Sequence, residues 1–272
     1  MPVLTEPTAR AYDVLAPAYD LLTAGYAYGP WLRAIDRIVR EHGIEGRRAL
    51  DVACGTGKSL EVLLELGYDA VGCDGSPGMA AIARAKLAGR TDVFVADMCE
   101  LPACGPFDLV TCLDDAINHL PSPELVTAAL RAMGANLASG GLLAFDANTF
   151  EAYRDVGDLI VEDGERIVLW HGGPARLHAP GGRAEVAMDV LSRVGDDLWR
   201  RASASWGHWH YPLASIPDLV AAAGLEVVAV HGQLEGGVLE TDADEERHRK
   251  AVFLARHPRS ERSVHALASV AD

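Results

Sequence analysis

Apolar residues recur at helical spacing at the start of the chain. Tyr12, Leu15, Ala16 and Tyr19 form one stripe, and Trp31, Ile35, Ile38 and Val39 form a second. This predicts an N-terminal helical cap over residues 1–46, with Gly29-Pro30 breaking it into two segments. The rhythm then changes. Short apolar runs predict strands at 48–53, 69–73, 92–96, 107–112 and 142–145. They alternate with helices that follow Gly57, span 77–87 behind Pro77, and span 124–137 before Gly140-Gly141. Short strands alternating with helices mean a parallel sheet covered on both faces.

From about Val156 the pattern becomes a meander. Strands are expected at 159–161, 167–170, 184–191 and 198–210, separated by Gly/Pro clusters such as Gly172-Gly173-Pro174 and Pro180-Gly181-Gly182. A helix at 215–223 and strands at 225–231 and 251–256 close the chain. The predicted organisation is an α/β core over 47–155 and 212–257 with a mostly parallel sheet of seven strands. An antiparallel β insertion over 156–211 interrupts it, and residues 258–272 form a flexible tail.

Composition narrows the partners. With 272 residues, 49% of them hydrophobic, the chain can bury a substantial core. Acidic residues outnumber basic ones 39 to 24, a formal charge of -15, which argues against a nucleic-acid partner. No apolar run reaches the roughly 18 residues of a membrane span, and the N-terminus has no basic-then-apolar leader, so a cytoplasmic protein with no membrane partner is expected. The five cysteines contain no C-x-x-C pair, which speaks against a disulfide framework or a zinc site. Lysine occurs only at 58, 86 and 250, and no function is read from that.

The segment Leu50 to Ser59, LDVACGTGKS, sits where the first strand turns into its helix. Glycines there let a ligand approach the backbone at the carboxyl end of a strand. A phosphate-binding G-x-x-x-x-G-K-[ST] loop fails because Val52 stands where its first glycine belongs. A dinucleotide G-x-G-x-x-G turn fails because Leu60 follows Gly55 and Gly57. What remains is D-x-A-x-G-x-G, with Asp74 at the end of the next strand, 23 residues after Asp51.

This pattern resembles the first motif of class I S-adenosylmethionine (SAM)-dependent methyltransferases, and the likeness extends over residues 48–150. It implies a Rossmann-like fold with SAM as cofactor. By resemblance, Ala53, Gly55, Thr56 and Gly57 pass under the methionine part of SAM, and Asp51 reaches its amino group directly or through water. Asp74 takes the ribose hydroxyls, with Gly75, Ser76 and Met79 following it; Asp97 and Met98 hold the adenine, and Leu113 and Asp114 line the methionine side. Tyr12-Asp13 and Tyr19-Asp20 are similar to the Y-D-x-x-A-x-x-Y-D helix of small-molecule and sugar N-methyltransferases. There the second tyrosine touches the SAM carboxylate, which assigns Tyr19 to the cofactor and leaves Tyr12 to the substrate.

The acceptor end follows strand four. His119, which titrates near neutral pH, and Asp115 are the candidate bases, required only if the acceptor is an alcohol or phenol. Asn118, Asn148, Trp206, His208 and His210 are candidate substrate contacts; alternation puts the last three on one strand face. Asp146-Ala147-Asn148 with Asp114 loosely resembles the magnesium site of catechol O-methyltransferases, but Ala147 interrupts the pair. His208 and His210 have zinc spacing without a nearby third ligand, so no metal is expected. The resulting expectation is a methyltransferase that attacks the SAM methyl in line with a nitrogen, oxygen or carbon of a small molecule, such as a secondary metabolite. A SAM-binding regulatory protein without transfer and an RNA methyltransferase stay open as rivals, as does a homodimer.

Overall fold

The computed structural model describes residues 6–154 and 156–258; the expected tail from 259 onward lies outside the described residues. Helices α1 (Glu6–Leu22) and α2 (Tyr28–Glu41) open the chain. The break between them falls at residues 23–27, ahead of Gly29-Pro30. Pro30 sits instead in the first turn of α2, where helical N–H groups have no partner anyway, so the expected breaker is part of a helix start.

The core then runs β1 (Arg48–Val52), α3 (Lys58–Glu65), β2 (Asp69–Asp74), α4 (Pro77–Lys86), β3 (Val93–Val95), β4 (Phe107–Cys112), α5 (Pro123–Gly134) and β5 (Leu137–Asn148). Ser76 and Ser122 cap α4 and α5 by accepting from Met79 N–H and Leu125 N–H, each ahead of a proline at the first helical position. Such caps are each worth ~1 kcal/mol. A short helix α6 (Glu151–Arg154) leads to β6 (Leu159–Glu162), β7 (Arg166–His171), β8 (Arg183–Gly195) and β9 (Leu198–Trp209). The chain returns through α7 (Ile216–Ala222), β10 (Glu226–Gln233), β11 (Leu239–Thr241) and β12 (Lys250–Arg256).

The main sheet has the order β11-β10-β12-β5-β4-β1-β2-β3, and the other four strands form a second sheet, β6-β7-β8-β9. Strands β1 to β5 pair in parallel, and β12 enters antiparallel between β5 and β10. The eighth strand, β11, is three residues at the edge, too short to leave a periodic signal. Strand β5 begins earlier than its apolar run, so Gly140-Gly141 lies inside it, at a shift in register against β4. A Cβ at Gly141 would stand 2.8 Å from the Phe107 carbonyl oxygen; these glycines let a bulged strand pass its neighbour and do not end a helix.

Two apolar layers sandwich the main sheet. Helices α2, α3 and α4 cover one face through residues such as Trp31, Ile35, Leu60 and Ala83. Helices α5 and α7 cover the other through Val126, Leu130, Ile216 and Val220. Helix α1 does something different: Ala11, Leu15 and Ala18 pack on Val186, Met188 and Trp206 of the antiparallel sheet. The two N-terminal helices, expected to form one cap, therefore serve different sheets. Among the described residues no helix is long and apolar enough to cross a membrane.

Candidate active site

The carboxyl ends of β1, β2 and β4 open into a cleft of about 750 Å³. Its floor is the turn after β1. Ala53, Gly55 and Gly57 all have positive φ, at 56°, 55° and 86°. A Cβ at Gly57 would press on Ala83 of α4 and on Leu87 just past its end, whereas one at Gly55 would meet only the Tyr19 ring at 3.7 Å, across the cleft. Gly57 thus serves close packing and Gly55 serves ligand approach. Asp74 fixes the turn by accepting from Gly55 N–H and Ser76 N–H, both at 2.8 Å. Burial pushes its carboxyl up to about 6.

From the expected cofactor set, Ala53, Gly55 and Thr56 of the turn line this cleft, as do Asp74, Gly75, Ser76 and Met79 beyond β2. Tyr19, Met98, Leu113 and Asp114 line it too. Asp51, Gly57 and Asp97 are not in the lining. Asp51 is buried behind the turn, where its carboxylate accepts from Ser59 Oγ at 2.5 Å and Thr111 Oγ1 at 2.7 Å. Burial pushes it up to about 6, and Ser59 is the group of this pair that reaches the cleft. Asp97 caps the turn at Met98–Glu100 by accepting from Cys99 N–H, leaving Met98 to face inward.

Helix α1 carries the opposite wall. Its Tyr-Asp pairs are seven residues apart, close to two helical turns, so the tyrosines share one face and the aspartates another. Tyr12 and Tyr19 point into the cleft with ring centroids 6.3 Å apart. Asp13 accepts from Ser76 Oγ and Gly78 N–H at the start of α4, where the helix dipole favours an anion. Asp20 accepts from Thr56 Oγ1 at 2.5 Å and Lys86 Nζ at 2.6 Å, and Lys58 Nζ reaches back to Thr23. The aspartates clamp α1 onto the glycine turn and α4, a role the sequence reading did not give them.

A second cavity of about 910 Å³ lies between α1, the ends of β4, β5 and β12, and the antiparallel sheet. Tyr12, Tyr19, Asp114 and His119 line both cavities, so they mark where the two meet. Asp115, Asn148, Trp206 and His208 line the second. Asn118 and His210 do not. Asn118 is fully buried, donating to the Trp209 carbonyl and accepting from Asn148 N–H, and so pins β9 to β5. His210 lies one residue past the end of β9, where alternation no longer sets direction. It accepts from Gly181 N–H and pairs with Glu245 at 3.2 Å.

At the meeting point Asp114 and Asp115 both adopt left-handed backbone, with φ of 65° and 57°. Such residues persist where surrounding bonds over-determine them, and they cluster at functional sites. Lys250, at the start of β12, supplies those bonds. Its Nζ lies 2.6 Å from Asp114, in close contact with Asp115, and 3.3 Å from Asp146. Tyr28 OH donates to Asp114 at 2.7 Å, and Asp115 N–H donates to Asp146 Oδ2 at 3.0 Å. Burial pushes Asp146 up to about 7. Burial would also raise Asp115, but the Lys250 ammonium and His208 hold it well below the usual carboxylate range.

His119 pairs through Nε2 with Tyr12 OH at 2.9 Å. Burial, aided by His208, pushes its pKa down to about 3, so the ring is neutral near pH 7 and is a feeble proton acceptor. Burial also raises Tyr12 well above the ordinary phenol range. Of the two candidate bases, Asp115 is ion-paired with Lys250 and His119 is buried against Tyr12.

Comparison with known proteins places this geometry. A methyltransferase-domain family model matches residues 49–141. A protein of Geobacillus sp. (strain WCH70) that carries a methyltransferase name is 32% identical over 253 residues, covering 90% of this chain and 99% of the relative. This chain belongs to the methyltransferase family. Among solved structures, the methyltransferase is similar to the sugar N-methyltransferase KedS8 from Streptoalloteichus sp ATCC 53650, with TM-score 0.70 and 29% identity over 88% of this chain and 93% of that one. It is also similar to SAM-bound CalS10, an amino pentose methyltransferase from Micromonospora echinaspora, with TM-score 0.65 and 27% identity over 89% and 97% of the two chains. The residues of the methyltransferase that sequence reasoning missed are Asp13, Asp20, Tyr28, Ser59, Lys250 and Tyr153, whose OH pairs with His208 Nδ1 at 2.9 Å. Of these, Asp13, Asp20 and Ser59 stand inside the two motifs already read, and Lys250 left a weaker signal as one of three lysines in the chain and the charged start of an apolar strand, KAVFLAR.

Proposed function

We propose that this SAM-dependent methyltransferase moves a methyl group to an amine nitrogen of a small molecule, with amino sugars as the first class to test. The observation that carries the reading is the meeting of two cavities at Tyr12, Tyr19, Asp114 and His119. SAM occupies the cleft over the glycine turn. Asp74 takes the ribose, Met98 packs on the adenine, Tyr19 faces the carboxylate, and Ser59 relays Asp51 to the amino group. The acceptor occupies the second cavity, against Tyr12, His119, Trp206 and His208. The antiparallel sheet over 156–211 is its lid, and the protein works in the cytoplasm.

The amine lone pair attacks the methyl carbon in line with the departing sulfur; the carbon–sulfur bond breaks and its electrons stay on sulfur. The ammonium product then gives its proton to solvent water. A neutral amine needs no proton removed before attack, which suits a junction whose imidazole and carboxylate are both weak bases. Proximity and a dry cleft supply the rate. The sugar and amino pentose acceptors of KedS8 and CalS10 support the same class. The test is incubation of the purified protein with SAM and matched amino and hydroxy sugars, read by product mass. Methylated amine is the expected result, and transfer to oxygen alone would overturn the assignment.

A further inference from the structure

The acceptor cavity contains a group of side chains that methyl transfer to an amine does not require. Asp115, His119 and His208 each bring one ligand atom within 4.8 Å of the others, and all three face that cavity. His208, near the end of β9, joins this group, and His210, just beyond that end, does not. Each imidazole is committed on its far side only. His119 Nε2 meets Tyr12 OH and His208 Nδ1 meets Tyr153 OH, both at 2.9 Å, while Lys250 holds the other oxygen of Asp115. The remaining nitrogens, His119 Nδ1 and His208 Nε2, are buried without a hydrogen-bond partner, in residues 7% and 5% exposed. His208 Nε2 lies 3.0 Å from Asp115 Oδ2, an ion-pair contact that an ion held between them would replace. Outer hydroxyls that fix an imidazole and leave its second nitrogen free are the supporting shell of a metal ligand.

Charge points the same way. Asp114, Asp115 and Asp146 surround one ammonium, and Asp146 Oδ1 is buried without a partner. Carboxylates thus outnumber ammonium groups beside the three ligands.

We propose that Asp115, His119 and His208 bind a divalent transition-metal ion at the wall of the acceptor cavity. Bonds of about 2.0–2.1 Å to the ring nitrogens require the three groups to draw together from their present spacing. Two imidazoles and one carboxylate leave coordination positions open. The open side faces the cavity, so the ion suits a chelating acceptor, an amine with a neighbouring hydroxyl. The hydroxyl oxygen binds the ion and the amine keeps its lone pair for the methyl group. This chelation step rests on the amine reading above; the ion site itself does not.

The test uses untagged, chelator-treated protein titrated with Zn²⁺ by calorimetry, with S-adenosylhomocysteine titrated in parallel as a check on the cofactor site. One equivalent of Zn²⁺ at micromolar or tighter affinity is expected. His208→Gln and Asp115→Asn should each weaken it at least tenfold with S-adenosylhomocysteine binding retained, and His210→Gln should leave it unchanged. Visible absorption of the Co²⁺-loaded native chain reads the ligand set without any substitution, and nitrogen ligation is expected. No uptake of Zn²⁺, or uptake undiminished by His208→Gln, would overturn the site. Loss of S-adenosylhomocysteine binding by the native chain would instead overturn the cofactor assignment.

Discussion

The two cavities of this methyltransferase are built in opposite ways. The cofactor cleft is largely a backbone structure: a glycine turn, strand ends close in sequence, and carboxylates such as Asp74 that accept from main-chain N–H groups. The acceptor cavity is a side-chain structure assembled from distant segments, as when Lys250 meets Asp114 across 136 residues and Tyr12 meets His119 across 107. Local backbone geometry gives a site whose shape is hard to change without unfolding the turn. Long-range side-chain networks give one that single substitutions can reshape.

Four predictions press on this contrast. The largest effect is expected for Asp74→Ala, which removes the acceptor for Gly55 N–H and Ser76 N–H together with the proposed ribose contact. Calorimetry should find no measurable S-adenosylhomocysteine binding, and unchanged affinity would break the backbone account of the cleft. Next is Lys250→Met, which removes the ammonium that Asp114, Asp115 and Asp146 share. Breaking such a buried group costs about 3–5 kcal/mol, to be read by denaturant unfolding, with S-adenosylhomocysteine affinity changing far less than turnover. Tyr12→Phe deletes one hydrogen bond to His119, worth about 1 kcal/mol. It should lower kcat/KM several-fold and leave cofactor affinity intact; equal losses in both would mean the cavities are not separable. The smallest effect is a pH slope. Burial raises Asp51 and Asp74 from the ordinary 3.8 to about 6. Their contribution to stability is thus full below the unfolded value and lost as pH rises through the folded one. The cofactor-free melting temperature should fall between about pH 4 and about pH 6, and Asp51→Asn should flatten that fall.

The same contrast decides what the sequence could reveal. The glycine turn, Asp74 and the alternation of strands are local patterns, and each stands in the structure where the pattern put it. Asp97 and Asp51 were legible as positions but not as contacts. Each is engaged by neighbours, a Cys99 N–H in one case and two hydroxyls in the other, that no spacing rule announces. Asn118 and His210 look like cavity residues on the chain, yet both bind backbone or loop groups brought in by the fold. Lys250 was the reverse case, a residue with no motif around it that ties together the ends of β4 and β5. Its partners exist only once β12 has slotted between β5 and β10.

Helix α1 leaves the ribosome before any surface it rests on. Its apolar face waits for Trp206, Tyr12 waits for His119, and Arg166 reaches the Pro17 carbonyl from 149 residues further along. Contacts of such long range form late, because closing the intervening loop comes first. A helix made before the sheet it rests on is therefore expected to dock late, and its docking completes both binding chambers at once. In refolding, burial of the central sheet should precede the gain of ligand affinity by a separable kinetic phase.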